Sequence, residues 1–331
     1  MDDWDDPKSN KRTIILPPLP PPEDEITEHF QRATAVLVEQ LKRDENIIAI
    51  LLEGSLAYDR VWEFSDVDLI LVVKDQKLIH TEWNLCEDGV IFSVLLVERG
   101  KFRERIQAST RGAWMHSTLS RSKLLFTRDE GLRDIYEDIA VVGDRDRDLM
   151  LMSHFGSTLG ALHKAEKFLH HKHQPTYSAT WMLGVGWSVM GFLADIEVLL
   201  HNDIPMRESL QQALSYNPAF FTEWYVGFSD RPKTMAHVEA ALQAMKQYLR
   251  DHADACLAPV VAFLRENPGP QGVSDFCRYF EKKISVSAHT FFDMMEWMVH
   301  EGRAFKDELP IYVTPKSRGT VNEAAYILNE Q

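Results

Sequence analysis

The chain has 331 residues, 45% of them apolar, and a formal net charge of −14. That is enough apolar residue for two or three domains with real cores, and the charge argues against a general nucleic-acid binder. Three scattered cysteines, Cys86, Cys256 and Cys277, form neither a disulfide framework nor a zinc pattern; with no apolar leader in MDDWDDPKSNKR and no run of eighteen apolar residues, the expectation is a cytoplasmic protein without membrane contact.

Residues 1–22 read as an acidic, proline-rich tail ending in PPLPPP. Ile26, Phe30, Leu37 and Leu41 then recur at helical spacing, with acids before them and Lys42 and Arg43 after. IIAILLE (47–53) predicts a buried strand, broken by Gly54 and Ser55, which open a short helix. VDLILVV (67–73) predicts a second strand with Asp66 and Asp68 at its start, and TEWNLCEDGVIFSVLLVER (81–99) a hairpin turning at Asp88-Gly89. A helix over KFRERIQAST (101–110), a strand over KLLFTRD (123–129) and a helix over EGLRDIYEDI (130–139) complete one mixed domain, 23–145.

The run GDRDRDLM (143–150) marks a boundary, and a helical bundle is expected over 146–255. Its segment 176–202 is apolar nearly all round and predicts a central helix. Gly184, Gly186 and Gly191 lie in this helical pattern, so close packing is the better reading than a dinucleotide loop. In 256–331, two helices joined by a short turn precede a hairpin over GRAFKDELPIYVTPKS, an order that resembles a winged-helix domain.

The chemistry concentrates in EGSLAYDRVWEFSDVDLI (53–70). Alternation along a strand puts Asp66 and Asp68 on one face. Two neighbouring carboxylates repel unless a cation lies between them, and Mg²⁺ is the simplest hard cation for oxygen ligands. The Gly54-Ser55 turn offers backbone N–H groups to phosphate. Arg60, between the two halves, has either the triphosphate or a surface acid within its reach, and Glu63 reads as a solvated loop residue. No GxxxxGK[ST] loop is present, His116 and Ser117 show no triad pattern, and His170, His171 and His173 read as a polar helix end.

Gly54-Ser55, ten intervening residues, and Asp66-Val67-Asp68 between apolar strands resemble the signature of the DNA polymerase beta-like nucleotidyltransferase superfamily. The resemblance implies an N-terminal mixed-sheet nucleotidyltransferase domain followed by a helical substrate-binding bundle; with the winged-helix-like module read above, the expectation is an α+β protein. It implies Asp66 and Asp68 as catalytic ligands of Mg²⁺ or Mn²⁺, and Gly54 and Ser55 on the phosphates of a nucleoside triphosphate. The family usually adds a third carboxylate from a later, neighbouring strand. Here that position holds Ser93; Glu98 lies five residues on and therefore on the opposite face, Glu53 and Asp88 are further candidates, and having no base at all is the remaining one. The expected reaction moves a nucleoside monophosphate, from ATP in the first instance, to a hydroxyl of an unidentified small molecule or protein. The alternatives are a catalytically weak nucleotide sensor and a DNA-binding regulator. DNA is disfavoured because 287–300 contains no Lys or Arg and 256–331 holds eight Lys or Arg against ten Asp or Glu; Lys306, Lys316 and Arg318 on or after the wing make a slender basic patch, and a protein or intramolecular contact is the expected role of the module.

Overall fold

Strand order explains why the site lies where it does. The computed structural model describes residues 24–59, 61–109, 119, 121–138, 144–184, 188–206, 208–314 and 316–330. They divide into two compact units, one within 16–142 and one within 143–331.

In the first unit, helix α1 (Asp24–Leu41) is followed by β1 (Ile47–Glu53), the single turn α2 (Gly54–Ala57), β2 (Val67–Val73), β3 (Glu82–Glu87) and β4 (Val90–Glu98). Helix α3 (Arg99–Ser109), β5 (Lys123–Thr127) and α4 (Glu130–Asp138) complete it. The sheet order is β3-β4-β2-β1-β5, antiparallel throughout except for the β2–β4 pair. Ile50, Leu52, Leu69, Phe92 and Val94 pack with Phe30 and Leu37 of α1 on one face. Leu51, Ile70, Val72 and Val97 pack with Phe102 and Ile106 of α3 and Leu132 of α4 on the other. Central strands buried on both faces need unbroken apolar runs, which is what β1 and β2 supply. Each such side chain contributes about 1.5–3 kcal/mol when fully buried. The β3–β4 turn places Asp88 and Gly89 at φ 48° and 79°, the left-handed pair that a tight hairpin requires.

The second unit begins with α5 (Asp144–Glu166), which passes into a π-helical turn, Lys167–His171. Helices α6 (Pro175–Leu183), α7 (Val189–Leu200) and α8 (Ser209–Tyr216) follow, then short helical turns over 218–230, and α9 (Met235–Glu266). The chain ends with β6 (Gln271–Gly272), α10 (Val273–Phe280), α11 (Ala288–His300), β7 (Ala304–Ile311) and β8 (Val321–Leu328), the strands forming an antiparallel sheet in the order β6-β8-β7.

Two sequence expectations change here. The single central helix expected over 176–202 is two helices: Gly184 turns extended after α6, and the Ser188 hydroxyl accepts from Gly191 N (3.1 Å) to start α7. Capping of a new N-terminus satisfies amides that a broken helix leaves exposed. Gly186 itself lies outside the described residues. Position 255/256, expected as a domain boundary, lies inside α9, which continues past Pro259 to Glu266. Helix α11 packs directly on α5: a Cβ at Gly156 would overlap Thr290 and come within 3.2 Å of Met294, and the rings of Phe155 and Trp297 meet edge to face at 5.1 Å. No described helix is long and apolar enough to cross a membrane.

Candidate active site at the end of the five-stranded sheet

Strand β1 runs apolar to Leu52 and ends at Glu53, where Gly54 turns the chain at φ +70°. Glycine is needed here for two reasons. The left-handed backbone suits it, and a Cβ would overlap Oδ2 of Asp68 and stand 3.2 Å from its Cγ. The Asp68 carboxylate therefore rests against the bare Cα of Gly54, next to Ser55 at the start of α2.

Register extends this contact into a row. Glu53 stands opposite Asp68 in the β1–β2 ladder. Asp68 stands opposite Ser93 in the parallel β2–β4 ladder, and Ser93 opposite Asn84 in β3–β4. Opposed residues share a face of the sheet, so Glu53, Asp68, Ser93 and Asn84 form one polar line across four strands. All four line a cleft of 490 Å³, together with Glu82 and Trp83. Glu53 and Asp68 are also engaged by other groups of the chain. Burial pushes the Tyr136 phenol of α4 up, and the charge of Glu53 adds to the effect.

The remaining expected residues are placed differently. Asp66 precedes β2, which starts only at Val67, so the strand alternation that would align it with Asp68 does not reach it. It is exposed and lines a second cleft, of 710 Å³, with Phe64, Ser65 and residues of α1 and the β3–β4 turn. Asp66 and Asp68, expected on one face, line separate clefts. Glu98 does not join the site either. It pairs with Val73 at the far end of β2, and its carboxylate is bound by Lys101. Asp88 lies in the hairpin turn, in contact with His29 (3.2 Å). Arg60, His116 and Ser117 lie outside the described residues. His170 pairs with Glu239 (3.3 Å), and His171 and His173 are exposed at the helix end. Among the described residues no group of three His, Cys, Asp or Glu is placed to hold a metal ion by itself. The part of Asn84 and Trp83 in the cleft had no signal in the sequence, because it arises from pairing between β3 and β4.

No protein-family model matches the chain, and no curated protein matches it. Among solved structures, the crystal structure of a nucleotidyltransferase-like protein from Exiguobacterium sibiricum 255-15 superposes with a TM-score of 0.61 at 14% identity, covering 90% of this chain and 99% of that one. At that identity the likeness establishes a shared fold.

Proposed function

We propose that the chain transfers a nucleoside monophosphate from a Mg²⁺-bound (or Mn²⁺-bound) nucleoside triphosphate, ATP in the first instance, to a hydroxyl of a small molecule or protein. The observation that carries this reading is the Asp68 carboxylate seated on Gly54, with Glu53 and Ser93 in register on either side. The nucleotidyltransferase-like fold supports it.

The donor set fits the metal. Carboxylate oxygens are hard ligands, and Mg²⁺ is commonly held by one or two carboxylates together with substrate phosphates and water. Asp68 would hold it with Asp66, just before β2, and Glu53, opposite Asp68 on the adjacent strand, would be within the same row. The bound ion would neutralise charge on the attacking and leaving oxygens. Ser55 and the backbone at Gly54 would hold the outer phosphates. A serine at 93 has no carboxylate to take a proton from the acceptor, which leaves Glu53 as the base on that face.

Calorimetry of Mg²⁺-ATP on the wild type and on Asp68→Asn, with pyrophosphate release measured alongside, tests the proposal. The variant should lose metal-dependent binding while keeping its unfolding transition; unchanged binding would refute the assignment. Ser93 favours one alternative, a nucleotide sensor of low turnover, and wild-type binding without pyrophosphate release would select it.

For the C-terminal segment we read a winged-helix-like element that engages protein or its own chain rather than DNA. Helix α11 carries no Lys or Arg, and its Met294 and Phe291 are buried. Duplex DNA should bind the full chain no tighter than about 10⁻⁴ M at physiological salt; sequence-specific nanomolar affinity by fluorescence anisotropy would overturn this.

A further inference from the structure

The junction between α5 and α6 gathers cations in a chain whose net charge is −14. A cleft of 630 Å³ opens there, lined by His163, Glu166, Lys167, His170, His171 and Lys172. Cations near a helix end complement its dipole, so their presence alone does not make a site. Backbone geometry adds to it. In an α-helix, residues five apart stand about 140° apart around the axis. The π-helical turn Lys167–His171 replaces that spacing: Lys172 N donates to Lys167 O (3.2 Å), which brings residue 172 back toward residue 167. Such turns are rare and recur at functional sites. This one is braced against α6. Gln174 N donates to Phe168 O (2.9 Å), the Ser178 hydroxyl donates to Ala165 O (2.8 Å), and the Phe168 and Tyr177 rings lie 4.3 Å apart.

Pairing leaves the positive charge of this wall uncompensated. Its acid, Glu166, accepts from Lys246 of α9 (2.7 Å). His170 faces Glu239 of α9 (3.3 Å), and His163 faces Asp293 of α11 (3.5 Å). Lys167, His171 and Lys172 are exposed, and among the described residues none of them has an acid within ion-pair distance. Phosphate oxygens accept charge-assisted hydrogen bonds from ammonium and imidazolium groups, and the volume is that of a small-molecule site. Nucleic acid is a poorer fit, because a protein that holds it commonly makes about six to ten phosphate contacts, more than these three side chains supply.

From this juxtaposition we infer that the α5–α6 junction is a binding site for a small ligand bearing two or three linked phosphates, held by Lys167 and Lys172 with His171 beside them. The site belongs to the helical unit, uses no metal, and is independent of the transfer reading above.

The test is calorimetry of inorganic tripolyphosphate on the full chain in EDTA, where the metal-dependent site at Asp68 does not contribute. The proteins are the wild type, Lys167→Gln combined with Lys172→Gln, and a control of equal charge change, Lys282→Gln combined with Lys316→Gln, neither of which lines the cleft. The cleft variant should weaken binding by about tenfold or more, and the control should stay near the wild-type value. Equal losses in the two would reduce the effect to general surface charge and overturn the inference, as would a wild type that does not bind. A single-stranded RNA that binds more tightly than tripolyphosphate, and is lost in the cleft variant, would overturn the small-ligand class. Asp68→Asn should leave tripolyphosphate binding in EDTA intact. If Asp68→Asn keeps Mg²⁺-ATP binding while tripolyphosphate needs the two lysines, the transfer reading fails and this site stands. If Asp68→Asn loses Mg²⁺-ATP and tripolyphosphate is indifferent to the lysines, the transfer reading stands and this site is wrong.

Discussion

Carboxylates in the α/β unit and in the helical unit meet different surroundings. Glu53 and Asp68 lie at a cleft, in register with a serine and an asparagine. In the helical unit, Glu197 is buried and accepts from Tyr248 Oη (2.5 Å) and Asn217 Nδ2 (3.2 Å). Asp203 accepts from Gln212 Nε2 (3.1 Å) and Tyr216 Oη (3.0 Å). Buried polar groups are costly unless they are paired within the protein. The helical acids meet that demand through neighbouring helices and hold the bundle together, whereas the acids at the sheet end face a cleft where a ligand can reach them. Glycine follows the same division. Gly54 makes room for the Asp68 carboxylate, and Gly156 makes room for a helix crossing.

Substitutions at those two glycines should separate the units. Gly54→Ala has the largest expected effect. It forces a Cβ into the Asp68 carboxylate and a side chain onto left-handed backbone, which costs about 1–3 kcal/mol. Displacing Asp68 should also abolish metal-dependent nucleotide binding, read by calorimetry beside a urea melt. Retained binding would mean that Asp68 does not need its place on Gly54.

Gly156→Ala should act on stability alone. Its Cβ would overlap Thr290 and crowd Met294, and overpacking of this kind costs about 1–3 kcal/mol. Thr290→Ala added to it should recover much of the loss. A urea titration in which the single variant matches the wild type would show that α5 and α11 are not closely crossed.

The smallest effect concerns His154 and Asp195, a mostly buried pair with Nδ1 and Oδ2 3.5 Å apart. Burial holds the Asp195 carboxyl above its usual range, against the pull of His154, and holds the His154 imidazole below its usual range. Above pH about 4 the unfolded chain releases the Asp195 proton while the folded chain retains it until the raised value. This group's contribution to stability therefore falls as pH rises through that window, and the loss persists at neutral pH. Asp195→Asn removes the loss, so the variant should be more stable at pH 7, with the gain shrinking toward pH 4. The opposing acid-side loss from His154, below about pH 6.5 in the unfolded chain, remains in the variant. Chemical denaturation at several pH values checks the slope, and a variant less stable at pH 7 would contradict it.

The amino-acid sequence by itself determined the local features: buried strands over IIAILLE and VDLILVV, the Gly54-Ser55 break, the Asp88-Gly89 turn, and the parity that sets Glu98 on the face away from Ser93. These depend on neighbours within a few residues, so periodicity and turn chemistry reveal them. Only the tertiary structure decided that Glu53, Asp68, Ser93 and Asn84 share a line, because strand register is set by pairing between distant segments. The same holds for Asp66, whose direction depends on where pairing of β2 begins, and for α9, which continues past Pro259 while apolar residues on either side of it, Leu257 and Val260, remain buried. Tertiary burial outweighs a local helix breaker there, whereas the expected central helix is divided by the extended turn at Gly184 and the Ser188 cap.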